Sequence, residues 1–368
     1  MFTNIMKQLF FSIIITGSAM AQSKTPQLEE VAEFGKNQPI GVAVQTSTNR
    51  LFVSFPHNEP FLYAVTEIKE GKRIPYPNEE WNKTPKQADA LHYNNAQDMY
   101  ADDEGYLWVL DSKPAGNASV FGDSGQGKQG EFKLIQFDLK TNKEKKTYFF
   151  NGLPKDKSGL NDVRVDTEKQ LAYLSDPALK AIVVLNLKTD TVRLLLQEDK
   201  STTATPGYNL IIDDIGMTDD KGKPFSSNVN GIALTKDNKY FYYKPINHDN
   251  LYRIETQYLA DEKLSSPELS AKVETVANTG VTHGLECDAK GNIYYGHSPS
   301  HSIKYVSPNG NVHTLVADER IIWPDSFGVG SDGYLYFSCA QLNRLPRYNK
   351  NENRVAYPFR VFRVKMPK

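Results

Sequence analysis

The feature that most constrains the fold of this chain is a short unit that occurs six times. Each copy alternates apolar with polar residues, turns at Asp, Gly, Asn or Lys, and continues into a second apolar stretch. Alternation with period two on both sides of a turn predicts a β-hairpin. Five copies align without gaps and the first fits with one inserted residue; the copies begin at Ile40, Gln97, Asn161, Asn230, His283 and Asp325.

The spacing of the copies indicates what each hairpin belongs to. Successive copies lie 42–69 residues apart, which suits four-stranded propeller blades with loop insertions. Two further strand-like arms follow most hairpins, as in KLIQFDLKTNKEKKTYFF. The last copy is followed only by FRVFRVK, Phe359–Lys365, so we expect Leu28–Phe34 to supply its fourth strand and close the ring. The sequence thus predicts an all-β chain, a single six-bladed β-propeller.

The first 21 residues differ in character from the rest. Lys7 precedes an apolar run from Leu9 to Ile15, which ends in Ala19-Met20-Ala21. A positive start, a short apolar core and an A-x-A site are typical of a secretory signal peptide. We therefore expect cleavage after Ala21, export to the periplasm or the extracellular space, and one propeller domain over residues 22–368. Because no second apolar span follows, we expect no membrane-spanning segment.

The net charge bears on nucleic-acid binding, and the cysteine content bears on disulfide formation. With 43 Lys+Arg against 44 Asp+Glu, the chain lacks the basic field that nucleic-acid binding needs, so we expect no nucleic-acid partner. Cys287 and Cys339 both fall in apolar strand-like runs. They are either two buried thiols or one disulfide, and the sequence leaves this open, as it does the oligomeric state.

Antiparallel connectivity predicts which face of the propeller carries function. Within a blade, the first strand starts at the face where the second strand ends, and the long insertions fall at that same face. These insertions are Asn78–Ala96, Lys113–Phe132, Glu198–Val229 and Gln341–Pro358. The opposite face receives only tight turns.

Polar residues converge on the predicted mouth of the central channel at this face. The first-strand starts contribute Gln97, Asp98, Asn161, Asp162, Asn230, His283 and Asp325, and the second-strand ends contribute Asp111, Asp176, Lys244 and His297. Such a set suits a small polar ligand or a hard cation such as Ca²⁺, which takes 6–8 oxygen ligands. Asp and Asn at strand ends also commonly do no more than bond turn backbones.

Several stretches resemble the major royal jelly protein and yellow family. The most specific are YYKPINHDNLYRI and WPDSF, and the likeness extends over about residues 38–365. The resemblance implies a secreted six-bladed propeller that binds amines in its channel or converts dopachrome. The family is in turn similar to calcium-dependent propeller lactonases of the gluconolactonase type. That similarity places Asn161 and Asn230 at two of the four metal-ligand positions, with His283 at the Asp position and Ile40-Gly41 at the Glu position.

Three functions remain open at this stage. In the first, the channel binds a small polar or aromatic ligand through Gln97, Asp162, Lys244, His297, Asp111 and Asp176, and isomerises it if His283, Asp98 or Asp325 moves protons. In the second, Ca²⁺ held by Asn161 and Asn230 supports lactone or ester hydrolysis, with His283 or Asp325 as general base. In the third, the propeller is a non-enzymatic interaction module.

Overall fold

The regular secondary structure of the described residues is almost entirely β: six four-stranded antiparallel sheets, one small hairpin and two short α-helices, with a few 3₁₀ turns. The computed structural model describes residues 26–57, 60–83, 91–112 and 132–367. The sheets form a closed ring, because the innermost strand of each contacts the innermost strand of the next and the sixth contacts the first. The prediction of a single six-bladed β-propeller is confirmed. The predicted signal peptide lies outside the described residues.

Five blades run in sequence order from the channel outward. Blade 1 holds β2 (Val42–Gln45), β3 (Arg50–Ser54), β4 (Val65–Lys69) and β5 (Lys72–Pro75). Blade 2 holds β6 (Ala96–Ala101), β7 (Tyr106–Asp111), β8 (Lys133–Asp138) and β9 (Lys143–Tyr148). Blade 3 holds β10 (Val163–Asp166), β11 (Leu171–Asp176), β12 (Ala181–Asn186) and β13 (Thr191–Leu195).

Blades 4 and 5 continue the pattern. Blade 4 holds β16 (Val229–Leu234), β17 (Tyr240–Pro245), β18 (Asn250–Glu255) and β19 (Glu274–Asn278). Its two outer strands are joined through the short helices α1 (Thr256–Ala260) and α2 (Ser266–Ser270). Blade 5 holds β20 (Leu285–Cys287), β21 (Ile293–His297), β22 (Ser302–Val306) and β23 (Val312–Ala317).

Blade 6 is assembled from both ends of the chain. Its inner strands are β24 (Pro324–Val329), β25 (Tyr334–Cys339) and β26 (Arg360–Lys365), and its outer strand is β1 (Leu28–Glu33). β1 pairs antiparallel with β26, so that Leu28 lies opposite Val364 and Glu33 opposite Arg360. The predicted closure by Leu28–Phe34 is confirmed.

The strands follow the apolar pattern because inner and outer strands face different surroundings. The second strand of blade 2, β7, is buried along nearly its whole length, since both of its faces pack against neighbouring blades. The outermost strand of the same blade, β9, exposes four of its six residues. A strand buried on both faces is continuously apolar, and an edge strand carries charge that blocks pairing with other chains.

Glycines let the inner strands approach closely around the channel. A Cβ atom on Gly231 would lie 2.0 Å from the carbonyl oxygen of His283, and one on Gly284 would lie 2.0 Å from that of Asp325. Any side chain at these positions would therefore push blade 4 from blade 5, or blade 5 from blade 6. The inner strands of blades 4, 5 and 6 are therefore in direct backbone contact around the channel.

Insertions on the face that holds the first-strand starts build an apolar layer, the cap cluster. A small hairpin, β14 (Ile211–Ile212) and β15 (Ile215–Gly216), belongs to the insertion before blade 4. The cap cluster comprises Ile40, Leu210, Ile212, Met217, Phe225, Ile246, Val281, Trp323, Ala340, Leu342 and Tyr348. Of the predicted insertion Lys113–Phe132, only Phe132 lies within the described residues, and it is buried.

The cysteines and the helices bear on two points that the sequence raised. Cys287 and Cys339 are buried free thiols rather than a disulfide. In the part of the chain that the structure describes, no helix is long and apolar enough to cross a membrane.

Removal of Leu28–Phe34 tests the closure of blade 6. The deletion exposes the hydrogen-bonding edge of β26 and removes Phe34, which packs edge-to-face on Phe55 at 5.0 Å. We expect the free energy of unfolding to fall by at least about 5 kcal/mol, a large part of a typical domain's stability. Urea unfolding measures the loss. The exposed Glu33→Ala exchange is the control and should change stability by less than about 0.5 kcal/mol; an unaltered midpoint in the deletion variant would refute the closure.

Candidate functional site

The first-strand starts of blades 2 and 3 meet at one side of the channel mouth, as the antiparallel connectivity predicts. The side-chain amide of Gln97 donates to Oδ1 of Asn161 at 3.4 Å, and Nδ2 of Asn161 donates to Oδ1 of Asp162 at 2.7 Å. Asn161 and Asp162 remain partly exposed to water within the channel. These three side chains form a connected polar wall.

A buried arginine spans the channel below this wall. Nη1 of Arg164 lies 3.2 Å from Oδ2 of Asp98 in blade 2, and Nη2 donates to the carbonyl oxygen of Leu285 in blade 5 at 2.8 Å. The same Nη2 lies 3.4 Å from a carboxylate oxygen of Glu286. The Arg164 side chain is only 4% exposed. Arg164 therefore joins blades 2, 3 and 5 across the channel through one charged group.

A small space lies at the side of the channel away from the mouth. It is lined in part by Tyr100, Lys236 and Glu286 and has a volume of about 10 Å³, roughly enough for a single water. This is too small for an organic ligand, whereas Asp162 and Asp325 at the mouth are partly exposed. Sequence reasoning missed Arg164, although period-two alternation from Asp162 places its side chain on the inward face of the strand.

Three carboxyl groups of the mouth have raised pKa values. Burial raises the pKa of Asp98, against the opposing effects of the Arg164 charge and of the backbone N–H of Val163, which donates at 3.0 Å. Burial, aided by the negative charge of Asp98, raises the pKa of Asp162 well above its usual range. Burial likewise raises the pKa of Asp325 to about 7. One guanidinium does not neutralise three carboxylates, so the mouth favours either protons or a bound cation.

Trp323 sets the environment of Asp325 and His283. Its indole N–H donates to Oδ1 of Asp325 at 3.0 Å, and its ring stacks on the His283 imidazole with centroids 3.9 Å apart. Trp323 adopts a left-handed φ of 51°, a conformation that a bulky residue holds only where its surroundings require it. The sequence contained this signal in the WPDSF run, but its positioning role emerges only in the fold.

His283 is a buried neutral imidazole. Its Nε2 lies 2.6 Å from the Ser298 hydroxyl, while Nδ1 is buried without a partner among the described residues. Burial, together with the charges of His297 and Lys244, lowers the pKa of His283 to about 3. Of the predicted proton carriers His283 and Asp325, Asp325 is therefore the one whose pKa lies near neutrality.

Lys244 and His297 lie at the blade 4 and blade 5 side of the same face. The Lys244 ammonium is buried and donates to the carbonyl oxygen of His248, and burial lowers its pKa to about 7. His297 Nδ1 lies 2.6 Å from the Ser300 hydroxyl, and burial lowers the pKa of His297 to about 4. Both side chains are thus held by their own blade's loops.

Asp111 and Asp176 organise the loops that lead into their blades. Asp111 accepts hydrogen bonds from the backbone N–H groups of Asn94 and Asn95 at 2.6–3.0 Å and lies 3.4 Å from the Lys133 ammonium. Asp176 accepts from the Ser158 hydroxyl at 2.6 Å and from two backbone N–H groups. The oxygens of both carboxylates are therefore engaged in structural hydrogen bonds.

The residues at the expected calcium positions do not fit Ca²⁺. At the Glu position, Ile40 is buried in the cap cluster, and at the Asp position, His283 is held between Trp323 and Ser298. Asn161 already shares its amide with Gln97 and Asp162, and Asn230 lies 9% exposed in β16. Among the described residues no group of three or more His, Cys, Asp or Glu side chains is arranged to hold a metal.

Comparison with known proteins places the chain in a family. The family model of the major royal jelly proteins matches residues 95–367, about three quarters of the chain. The chain belongs to the major royal jelly protein family. The comparison with curated protein sequences gave no match.

Solved structures share the fold of this royal jelly family member. A gluconolactonase from Xanthomonas campestris superimposes with a TM-score of 0.55 at 9% identity, over 93% of this chain and 90% of its own. Regucalcin from Agrobacterium tumefaciens, a calcium-binding protein, gives 0.54 at 13% identity over 92% and 93%. An inactive virginiamycin B lyase from Staphylococcus aureus, solved with quinupristin, gives 0.51 at 12% identity over 93% and 100%. Identities this low establish a common architecture and leave the chemistry to each site.

Exchange of Arg164 for methionine tests its role as the tie across the channel. The variant leaves Asp98 and Glu286 buried without their cation, so we expect a loss of about 3–5 kcal/mol in the free energy of unfolding at pH 8. The loss should be smaller at pH 5, because removal of the Arg164 charge raises the pKa of Asp98 further and protonation then removes its buried charge more readily than at pH 8. Urea unfolding at both pH values measures this. Adding Asp98→Asn should recover part of the loss at pH 8; an equal loss at both pH values would contradict the electrostatic explanation.

Proposed function

We propose that this chain is an exported binding protein for small organic cations, with the ligand's protonated amine held at Asp162 and Asp325 in the channel mouth. The observation that carries the proposal is the excess of carboxyl groups over positive charge at the mouth. Asp98 lies 3.2 Å from the Arg164 guanidinium, whereas Asp162 and Asp325, whose pKa values are also raised, form no ion pair among the described residues.

A bound ammonium would relieve this imbalance. Two unit charges 4 Å apart attract by about 4 kcal/mol at the effective dielectric constant of a protein surface. The amides of Gln97 and Asn161 beside Asp162 add directional hydrogen-bonding groups that can orient the rest of the ligand. An amine attached to a flat polar or aromatic body suits this combination of a charged end and amide walls.

The same mouth can support isomerisation by proton transfer. A group whose pKa lies near the working pH is the best acid–base catalyst, and Asp325 meets this condition. Its carboxylate would take a proton from one atom of the bound molecule and return it to another, so that the composition of the molecule is unchanged. This is the class of reaction that the resemblance to dopachrome-converting family members implies.

Neither alternative receives comparable support. Calcium-dependent hydrolysis would need a ligand set that Ile40 and His283 do not supply. For an interaction module, exposed large apolar side chains such as Leu62 and Val312 belong to separate segments, and only Ile211 and Ile215 share one, the β14–β15 hairpin, among the described residues. Singly exposed apolar residues are ordinary on protein surfaces. We therefore retain the channel as the functional site.

The pH dependence of amine binding tests the role of Asp325. A cation prefers the ionised carboxylate, so lowering the pH below the pKa of about 7 must weaken binding. We expect the affinity for phenethylamine or tyramine, which stay protonated, to be about tenfold lower at pH 6 than at pH 8. Isothermal titration calorimetry of the mature protein measures this. Added chelator should change nothing.

Asp325→Asn and Asp102→Asn form the matched pair for this test. Asp102 is also buried with a raised pKa, but it bonds the indole of Trp108 within blade 2, at 2.7 Å. Asp325→Asn should weaken binding about tenfold at pH 8 and reduce the pH dependence to the part that Asp162 contributes, while Asp102→Asn should leave both intact. Dopachrome decolourisation by the same two variants tests the isomerase step. The absence of saturable binding across several aromatic amines would defeat the proposal.

Export is a separate part of the proposal and has its own test. The apolar segment before Ala21 predicts cleavage there. Mass spectrometry of protein recovered from the periplasm or the culture medium should give Gln22 as the first residue. A cell-retained protein with an intact N-terminus would contradict export and leave the binding proposal untouched.

A further inference from the structure

A second cavity lies in the cap and shares no lining residue with the mouth of the channel. Its volume is about 220 Å³, smaller than the roughly 300–1,000 Å³ of sites that hold drug-sized ligands. One wall is the β14–β15 hairpin, and the other is formed by two 3₁₀ turns, Leu342–Arg344 and Pro346–Tyr348. Both walls come from insertions into the propeller, so the cavity is an addition to the common fold.

The floor of the cavity is apolar and well supported. Ile212, Met217 and Tyr348 line it and are at most 7% exposed. All three belong to the cap cluster, in which the Tyr348 ring packs edge-to-face on Phe225 with centroids 5.9 Å apart. A floor fixed in this way offers a preformed apolar surface, which spares a ligand the cost of ordering it.

The hairpin wall is held by a charged contact to blade 5. Oδ1 of Asp213 accepts a hydrogen bond from Nε2 of His301 at 2.6 Å. Asp213 takes the left-handed conformation, with φ of 53°, which turns the hairpin tightly at this point. The contact fixes the distance between the hairpin and the facing 3₁₀ turns.

The two arginines that line the cavity differ in how they are paired. The Arg354 guanidinium donates two hydrogen bonds to one carboxylate oxygen of Glu352, each 3.1 Å long. The carboxylate nearest to Arg344 among the described residues is that of Asp213, at 3.9 Å. This is beyond hydrogen-bond distance, and the other oxygen of Asp213 is already bonded to His301. Arg344 therefore has a two-pronged donor face available.

Asn343 also lines the cavity. Its side-chain carbonyl oxygen is buried without a hydrogen-bond partner among the described residues. Because this oxygen is shielded from solvent, it is out of reach of a ligand in the cavity.

We propose that this cavity binds a small carboxylic acid with an apolar body. The ligand's carboxylate pairs with the fork of Arg344, and its body lies on Ile212, Met217 and Tyr348. Paired N–H groups match the geometry of a carboxylate, which is why arginine recognises it well. The ligand proposed for the channel is a cation and the ligand proposed for this cavity is an anion. Because the two sites share no lining residue, each can be tested without the other.

Calorimetry with two related probes tests the charge preference. 3-Phenyllactate carries the acid and the apolar ring, and its amide lacks the charge. We expect saturable binding of 3-phenyllactate to the mature protein, and Arg344→Gln should weaken it about tenfold or more. Arg253→Gln, which alters an arginine paired with Glu274 outside the cavity, is the matched control and should change the affinity by less than about threefold. The amide should bind more weakly than the acid.

Crossed variants separate this site from the channel. Arg344→Gln should leave phenethylamine binding intact, and Asp325→Asn should leave 3-phenyllactate binding intact, with both ligands bound at once to the unaltered protein. Arg344→Lys, which keeps the charge but not the fork, should give an intermediate affinity and guards against misfolding of the glutamine variant. The proposal is overturned if no saturable binding of the acid occurs in the millimolar range, or if Arg344→Gln leaves that binding unchanged. Failure of amine binding in the channel would not affect either result.

Discussion

The ion pair between Arg164 and Asp98 is the constraint on which the chemistry of the mouth depends. Arg164 reaches from blade 3 to Asp98 of blade 2 and to the Leu285 carbonyl of blade 5, so one guanidinium joins three blades. Its charge also lowers the pKa of Asp162, but against the larger opposing effects of burial and of Asp98, so the carboxyl groups of the mouth keep an excess of negative charge. Their raised pKa values follow from this arrangement, and so does the preference for a positively charged ligand.

The cap gives equivalent positions of the repeat different roles. Ile40, His283 and Asp325 each open a copy of the repeated unit. Ile40 is part of the apolar cap cluster, His283 is buried under the Trp323 ring, and Asp325 stays partly exposed with its carboxylate bonded to the Trp323 indole. Phe225, which belongs to the insertion before blade 4, packs edge-to-face on Trp323. The side chains of the cap therefore determine which first-strand starts remain accessible to a ligand.

The structural relatives show how far a shared propeller extends. The gluconolactonase and the regucalcin superimpose over more than nine tenths of this chain at 9–13% identity. Closed rings of hairpin blades tolerate such divergence, because many different sequences with alternating apolar residues can bury one face of a strand. The site is less tolerant: the side chain of Ile40, in the cap cluster, has no atom that can bind a metal, whereas a glutamate side chain at this position has two carboxylate oxygens.

The sequence by itself determined the six hairpins, the closure of blade 6 by Leu28–Phe34, and the meeting of Gln97, Asn161 and Asp162 at one mouth. These follow from period-two alternation and antiparallel connectivity, which are local rules. Only the tertiary structure decided that Asp176 anchors a loop, that Arg164 spans the channel and that Arg344 faces a cavity. Those outcomes depend on contacts between distant residues, as between Arg164 and Leu285, which are 121 positions apart. No local pattern encodes which distant groups meet, because that depends on how the loops fold over the ring.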